Sequence, residues 1–118
     1  MKGKIYWVDD IFQYHGRVDE ESCHIVANIE NVVIQEYMIK FFILKHNVDV
    51  GKVVMVSYNV NLKSDDGIKY IGDWNDDEDR DYFGVAKCEL YSNKSKYFLF
   101  GTWEESGTEF TWWANIQK

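Results

Sequence analysis

Apolar and polar residues alternate along the second half of the chain. Over residues 54–62 an apolar side chain recurs at every second position, and polar residues such as Asn59 and Asn61 stand between them. A period of two is typical of a β-strand with one buried face, because successive side chains point to opposite sides of the strand. The same alternation recurs further on, so the pattern predicts consecutive strands over residues 54–62, 68–74, 82–90, 97–103 and 110–116.

The segments between these runs have the composition of tight turns. Residues 64–67, 92–95 and 104–107 are rich in serine, glycine, asparagine and acidic residues, and the chain has no proline. These residue types accept the backbone angles and side-chain hydrogen bonds of short turns. Turns at such short spacing indicate an antiparallel meander, in which each strand pairs with the next along the chain.

The first half of the chain allows more than one interpretation. Residues 11–18 have the pattern of a strand with a bend at Gly16. Residues 23–45 fit one face of an amphipathic helix, but the segment is rich in Ile, Val, Phe and Tyr, which favour strands. This composition favours two strands, over residues 23–33 and 35–45, rather than one long helix.

Together these segments predict an all-β fold of about eight strands. Eight antiparallel strands are enough to close an up-and-down barrel, and closure removes exposed sheet edges. A chain of 118 residues is normally one domain. We therefore expect a single domain over residues 1–118 that is an antiparallel meander and a closed or nearly closed barrel.

The charge of the chain narrows the classes of partner. The net charge is −7, from 20 acidic and 13 basic residues. Binding to nucleic acid or to an anionic membrane needs clustered Lys and Arg, and the sequence has no such cluster, so neither partner is expected. The opening MKGKIYWVDD reaches Asp9 and Asp10 before the apolar segment of a signal peptide, which predicts a cytoplasmic location.

Residue types that catalyse reactions or bind metals do not form a known pattern. His15, His24 and His46 do not stand at metal-ligand spacing, and Cys23 and Cys88 are too few for a disulfide framework. The sequence has no phosphate-binding loop and no nucleophile motif. We expect no enzyme activity, no metal and no cofactor, and we expect both cysteines to be free and buried in strands.

An acidic segment over residues 73–81 is the most unusual local feature. It begins like a calcium loop, but Glu78 replaces the glycine that the turn requires, and Gly84 replaces the final glutamate. A solvated loop, weak cation binding and a surface for a basic protein partner all remain open. Trp113 and Tyr91 point away from the predicted core, as interface aromatics do. The predicted partner-binding residues are Asp73, Asp76, Asp77, Glu78, Asp79, Asp81 and Trp113.

Aromatic residues make up 17% of the chain, and the largest ones stand at predicted inward positions. Such residues most simply fill the core, since each buries a large apolar area. If the barrel is hollow, the same side chains line a pocket for a small apolar ligand. The candidate pocket residues are Tyr58, Tyr70, Trp74, Trp103 and Trp112.

The C-terminal third, YFLFGTWEESGTEFTWWANI, carries a sequence pattern of a known superfamily. An apolar strand with Gly101-Thr102-Trp103 is followed by a turn at Gly107 and a last strand with Phe110 and Trp112. This segment resembles the closing strands of calycin barrels, the group of lipocalins, fatty-acid-binding proteins and avidins. The resemblance implies a closed barrel and, in those families, a small apolar ligand inside it.

These observations leave two functions from different classes. The first is a non-catalytic, acidic protein-binding module, an inhibitor or immunity-type protein that occludes a basic site on a toxin or nuclease. Occlusion requires only a complementary surface with charged rims and aromatic anchors. The alternative is a calycin-like barrel that binds a small apolar ligand.

Overall fold

Antiparallel strands joined in chain order close into a barrel in the computed structural model of the protein. The structure describes residues 1–9, 25–49 and 52–118. The strands are β1 (Lys2–Asp9), β2 (Ile25–Gln35), β3 (Met38–Asp49), β4 (Lys52–Lys63), β5 (Lys69–Asp76), β6 (Phe83–Ser92), β7 (Lys96–Glu105) and β8 (Thr108–Gln117). Because β1 pairs with both β2 and β8, these strands leave no open sheet edge. The predicted all-β barrel is thereby confirmed.

The ambiguous segment of the first half forms two strands, as its composition predicted. β2 and β3 pair in register around a turn at residues 36–37, with Ile34 opposite Ile39 and Ile29 opposite Ile43. Such pairs of branched side chains pack well on a pleated surface, which explains why strand propensity prevails over the helical spacing. The described residues contain no helix of the length and apolarity needed to cross a membrane.

The first strand differs from the prediction. β1 spans Lys2–Asp9, where the sequence analysis placed no strand, and the predicted strand over residues 11–18 lies outside the described residues. Ile5 and Trp7 are buried inside the barrel. They alternate with Lys4, which is exposed, and with Tyr6, which is buried against the ring of Trp113 on the outer side. Two inward residues are too few to identify a strand from the sequence pattern alone. The strand is stabilised by its pairing with β8 along the whole length of β1.

Apolar side chains at alternate positions line the interior of the barrel. No polar or charged side chain is buried among the described residues. Each buried aromatic ring removes about 150–250 Å² from water, so each buried tryptophan contributes more apolar surface than any one aliphatic side chain. The largest fully buried side chains are Trp74, Trp112, Tyr70, Ile5, Ile29, Ile39, Ile43, Leu62, Leu99, Ile116 and Val60.

Glycines at inward positions bring neighbouring strands close together. A Cβ atom at Gly101 would overlap the backbone carbonyl oxygen of Lys87 on β6, and one at Gly72 would overlap that of Asn61 on β4. Only glycine permits this approach, which lets a sheet bend strongly enough to close. Gly101 was singled out in the sequence for its resemblance to calycins, and its role here is geometric.

The predicted turns lie between the expected strands. In the turn after β4, Oδ1 of Asp66 accepts hydrogen bonds from the backbone N–H groups of Ile68 and Lys69, both at 2.9 Å. These bonds favour the charged carboxylate and lower the pKa of Asp66. Between β7 and β8, Ser106 (φ 49°) and Gly107 (φ 80°) form a two-residue turn with positive φ at both positions, as tight hairpins require.

Candidate functional site

The loop of residues 77–82 connects β5 to β6 and is ordered by its own carboxylates. Oδ1 of Asp76 accepts hydrogen bonds from the backbone N–H groups of Glu78 (2.9 Å) and Asp79 (3.3 Å). Oδ1 of Asp79 accepts one from the backbone N–H of Asp81 at 3.2 Å. We call this segment the acidic loop, and the end of the barrel where it lies, beside the turn of residues 106–107, the acidic end.

Other carboxylates of the acidic segment have different roles. Oδ1 of Asp77 accepts a hydrogen bond of 2.9 Å from Nδ2 of Asn59, which ties the loop to β4. Asp73, Glu78 and Asp81 are exposed, and their side chains make no hydrogen bond within the described part of the chain. The predicted partner-binding set therefore divides into residues that order the loop and residues whose charge faces solvent.

The calcium-like spacing of residues 73–81 does not produce a ligand shell. β5 continues to Asp76, so Asp73 and Asn75 stand along an extended strand, whereas the residues of a calcium loop wrap around the ion. Among the described residues, no three or more His, Cys, Asp or Glu side chains are grouped so as to hold a metal ion.

An exposed apolar surface covers the outer side of β5, β6 and β7. Its side chains keep between 41% and 66% of their surface in contact with solvent, and Phe83 is the most exposed. Phe83 directly follows the acidic loop, so the apolar surface begins where the charged loop ends. A groove of about 530 Å³ lies on the same surface and includes Ile71, Tyr91 and Phe100 in its walls. We call this surface the apolar face; it consists of Ile71, Phe83, Val85, Tyr91 and Phe100.

Trp113 is not beside the acidic loop. It is half-buried on the outer side of β8, where it lies opposite Phe100 in register and stacks on Tyr6 with ring centroids 5.4 Å apart. Two strands, β6 and β7, separate it from β5. Trp113 therefore lies at one border of the apolar face, and the acidic loop lies at another. Trp113 and the acidic loop do not form one contiguous cluster.

The candidate pocket residues all lie inside the barrel, and four of the five are in one ring cluster. Trp74 and Trp103 are stacked with centroids 4.9 Å apart, and Tyr58 meets Trp74 edge-on at 5.4 Å. Trp112 meets Trp103 edge-on at 6.4 Å. Tyr70 is the exception, because its hydroxyl reaches the other end of the barrel.

The position of Tyr70 follows from its hydrogen bonds. Its hydroxyl donates to the backbone carbonyl oxygens of Gln35 (3.0 Å) and Glu36 (2.7 Å), in the turn between β2 and β3. Burial raises the pKa of Tyr70, and the hydroxyl stays a donor at neutral pH. Tyr70 therefore closes the end opposite the acidic end and does not belong to a pocket with the tryptophans.

Trp7 was absent from the predicted pocket residues, and it differs from Trp74 and Trp112 in its hydrogen bonding. Its ring meets Trp103 edge-on at 5.6 Å, only 4% of the residue is exposed, and Nε1 has no hydrogen-bond partner among the described residues. By contrast, Nε1 of Trp74 donates to the carbonyl oxygen of Glu104, and Nε1 of Trp112 donates to that of Thr102, both at 2.9 Å. A buried unpaired donor costs about 1–3 kcal/mol, so an acceptor at Trp7 would be favourable.

Buried titratable groups in the interior are not activated for catalysis. Burial, followed by the charges of Glu105 and Asp76, raises the pKa of Tyr58. Burial raises the pKa of the free thiol of Cys88 to about 12, so it is protonated at neutral pH and is a weak nucleophile. Cys23, His15 and His24 lie outside the described residues.

Comparison with known proteins supports the fold and gives no information about function. No protein-family model matches the chain, and no curated protein matches it. Among solved structures, a redesigned β-barrel is similar, with a TM-score of 0.59 and 8% sequence identity over 99% of this chain and 88% of that chain. At this identity the likeness shows a shared barrel architecture.

Proposed function

We propose that the chain is a non-catalytic protein-binding module of the inhibitor or immunity type, which occludes a basic site on a target protein. The observation that carries the proposal is Phe83, a large apolar side chain that is 66% exposed directly beside the acidic loop. An apolar anchor next to a charged rim is the arrangement of a protein-binding hot spot.

The extent of the apolar face supports this proposal. Its five side chains are each about half exposed, which amounts to on the order of 400 Å² of apolar surface, with Lys87 and Glu89 between them. Patches of that size on a monomer are often functional, because exposed apolar area favours association. Val85 lies opposite Asp73 in register, so acidic and apolar side chains alternate at this edge of the face.

The order of the acidic loop also favours binding. The hydrogen bonds of Asp76, Asp77 and Asp79 already fix the loop backbone, so little conformational entropy is lost when a partner docks. The solvent-facing charges of Asp73, Glu78 and Asp81, on a chain of net charge −7, attract a basic partner and speed its association.

Separate substitutions test the charged and apolar parts. The tagged chain is used to isolate its partner from the cells that produce it, and the purified pair is then measured by surface plasmon resonance. Combining Asp73→Asn, Glu78→Gln and Asp81→Asn should slow association about tenfold and flatten its salt dependence. Phe83→Ala should speed dissociation by about tenfold or more, as loss of a hot spot does.

Two controls are matched to these variants. Asp65→Asn removes an exposed charge, and Ile68→Ala removes a side chain that is 56% exposed, both in the turn at the opposite end of the barrel. Both should bind like the parent chain. Equal kinetics for the parent, the triple variant and Phe83→Ala would contradict the proposal.

A second candidate function, binding of a small ligand inside the calycin-like barrel, is favoured by Trp7. Its unpaired Nε1 is a donor among apolar rings, which suits an apolar ligand with one acceptor atom. The probe 1-anilinonaphthalene-8-sulfonate has that chemistry. It should quench tryptophan emission, and Trp7→Phe should weaken its binding about three- to tenfold through the lost hydrogen bond.

The control for this test is Trp113→Phe, which removes an indole on the outer side of the barrel. That variant should bind the probe like the parent chain. No quenching in the parent chain, or the same affinity in Trp7→Phe, would exclude a ligand bound at Trp7.

A further inference from the structure

A polar cleft lies on the outer side of β2 to β5 and meets the apolar face at Asn75, which lies opposite Phe83. Its volume is about 440 Å³. The lining is unusual in its side-chain amides, which come from three different strands. They are Asn31 on β2, Asn59 and Asn61 on β4, and Asn75 on β5. The other residues of the lining are Lys40, Phe41, Phe42, Val60, Asp77 and Arg80.

Strand register places these side chains next to one another. Phe42 lies opposite Asn59, and Asn59 lies opposite Asn75, so an aromatic ring and two amides form one row across β3, β4 and β5. Lys40 lies opposite Asn61 in the adjacent row. Directly opposite side chains on one face are about 5 Å apart at Cβ, which is close enough for two of them to contact one ligand group.

The amides are costly to place here. Asparagine is depleted from strands because its side chain competes with the backbone for hydrogen bonds, yet Asn59, Asn61 and Asn75 all stand in strands and face the same cleft. Where several residues oppose local preference at one place, function is the common reason.

A backbone irregularity points to the same cleft. Asn31 has φ of 54°, and the pairing of β2 with β3 shifts register between Glu30 and Val33. This is a β-bulge, which changes the direction of a side chain and often lies next to a binding site. The left-handed backbone conformation costs about 1 kcal/mol at a residue other than glycine, so the conformation of Asn31 is less favourable than that of an ordinary strand residue.

Two of the amides are fixed in orientation while keeping a free acceptor. Nδ2 of Asn59 donates to Oδ1 of Asp77 at 2.9 Å, and Nδ2 of Asn75 donates to the carbonyl oxygen of Asp76 at 3.1 Å. Within the described residues, Oδ1 of neither asparagine accepts a hydrogen bond. The side chain of Asn61 has no hydrogen-bond partner in the part of the chain that the structure describes.

The cationic side chains at the cleft are also uncommitted. Within the described residues, neither Lys40 nor Arg80 is in an ion pair. Lys40 stands on β3 and Arg80 in the acidic loop, whereas the carboxylate of Asp77, which also lines the cleft, accepts a hydrogen bond from Asn59. A negative group on a ligand would therefore give Lys40 and Arg80 the ion-pair partner that the described residues do not give them.

We propose that this cleft binds a carbohydrate that carries a carboxylate. An amide offers an acceptor and two donors in one plane, which matches sugar hydroxyls because each is both donor and acceptor. The ring of Phe42 supplies an apolar surface for the C–H face of a sugar. Lys40 and Arg80 pair with the carboxylate through charge-assisted hydrogen bonds.

This site differs from the proposed protein-binding surface but adjoins it, because Asn75 lies opposite Phe83 and Arg80 belongs to the acidic loop. The cleft lies over β2 to β5, whereas the apolar face lies over β5 to β7. The acidic loop borders both, but the tests use different residues. The variant with Asp73→Asn, Glu78→Gln and Asp81→Asn should keep or strengthen binding of an acidic carbohydrate, because Asp73 lies opposite Asn61 and its negative charge is removed. Asn61→Ala should keep protein binding, so failure of one proposal is distinguishable from failure of the other.

A glycan array that includes neutral, uronic-acid-containing and sialic-acid-containing oligosaccharides tests the proposal. The parent chain should retain acidic glycans. Asn61→Ala and Phe42→Ala should each lower that binding at least tenfold. Combining Lys40→Met with Arg80→Met should lower binding to acidic glycans to the level of their neutral counterparts. In ¹⁵N spectra, a retained glycan should shift the side-chain amide signals of the cleft asparagines.

Asn115→Ala is the matched control, because Asn115 stands on the outer side of β8, opposite Phe98. It should bind glycans like the parent chain, and the unfolding midpoints of all variants should be compared to exclude a loss of folding. Three results would overturn the proposal: no glycan retained by the parent chain, equal retention of acidic and neutral glycans, or unchanged binding in Asn61→Ala.

Discussion

Replacing Trp74 with alanine is expected to lower the free energy of unfolding by about 3–5 kcal/mol. Trp74 is fully buried, and its ring meets those of Tyr58 at 5.4 Å, Tyr82 at 5.3 Å and Trp103 at 4.9 Å. Removing the ring leaves a cavity among aromatic neighbours that are too rigid to fill it. It also leaves the carbonyl oxygen of Glu104 without its donor.

Urea unfolding followed by circular dichroism measures this loss. Trp74→Phe keeps most of the ring and loses the hydrogen bond, so it should cost clearly less than Trp74→Ala. Tyr91→Ala is the control, because Tyr91 is 51% exposed on the apolar face and its replacement should change stability by less than about 0.5 kcal/mol. If Trp74→Ala unfolds within about 1 kcal/mol of the parent chain, the ring cluster is not tightly packed.

The packing of Trp74 also connects the core with the proposed binding surface. Its indole N–H joins β5 to the end of β7, and its ring contacts Tyr82, the last residue of the acidic loop. Tyr82 precedes Phe83, the anchor of the apolar face. The loop and its anchor therefore rest on the interior aromatic cluster, and a soluble Trp74→Ala variant should also bind a protein partner more weakly.

Local pattern predicts most of the strands because each strand has its own alternation. The five strands of the second half were identified from period and turn residues, and β8 illustrates why: Trp112, Ala114 and Ile116 alternate without interruption and all are buried. β1 was missed since only Ile5 and Trp7 signal its inward face. Its pairing partner, β8, is at the other end of the sequence, and no local pattern reports such a contact.

The binding surfaces depend on that same long-range pairing. The acidic loop is contiguous in sequence and was identified directly, but Ile71, Val85 and Phe100 become one face only when β5, β6 and β7 are in register. Trp113 was predicted to bind the same partner as the acidic loop, because both were expected to face outward. The order of strands around the barrel separates them, and that order cannot be derived from the alternation of a single strand.

Replacing Gly101 with alanine is the second substitution with a large expected effect. A Cβ atom at this position would overlap the carbonyl oxygen of Lys87, a backbone atom that cannot move unless β6 and β7 separate. We expect a loss of about 3 kcal/mol or more, because overpacking against a backbone has no flexible side chain to relieve it. Exclusion of the variant from the soluble fraction would be the extreme form of the same result.

Gly107→Ala provides the comparison that identifies the cause. Gly107 has φ of 80° and nothing within 4 Å of the added Cβ, so alanine there suffers backbone strain without overlap, which costs about 1–2 kcal/mol. Urea unfolding of both variants distinguishes the two effects. A much larger loss in Gly101→Ala means that the close approach of β6 to β7 maintains the closed barrel. Equal losses would mean that the strands can separate by about 1 Å or more without opening the barrel, and that glycine at position 101 is not required for closure.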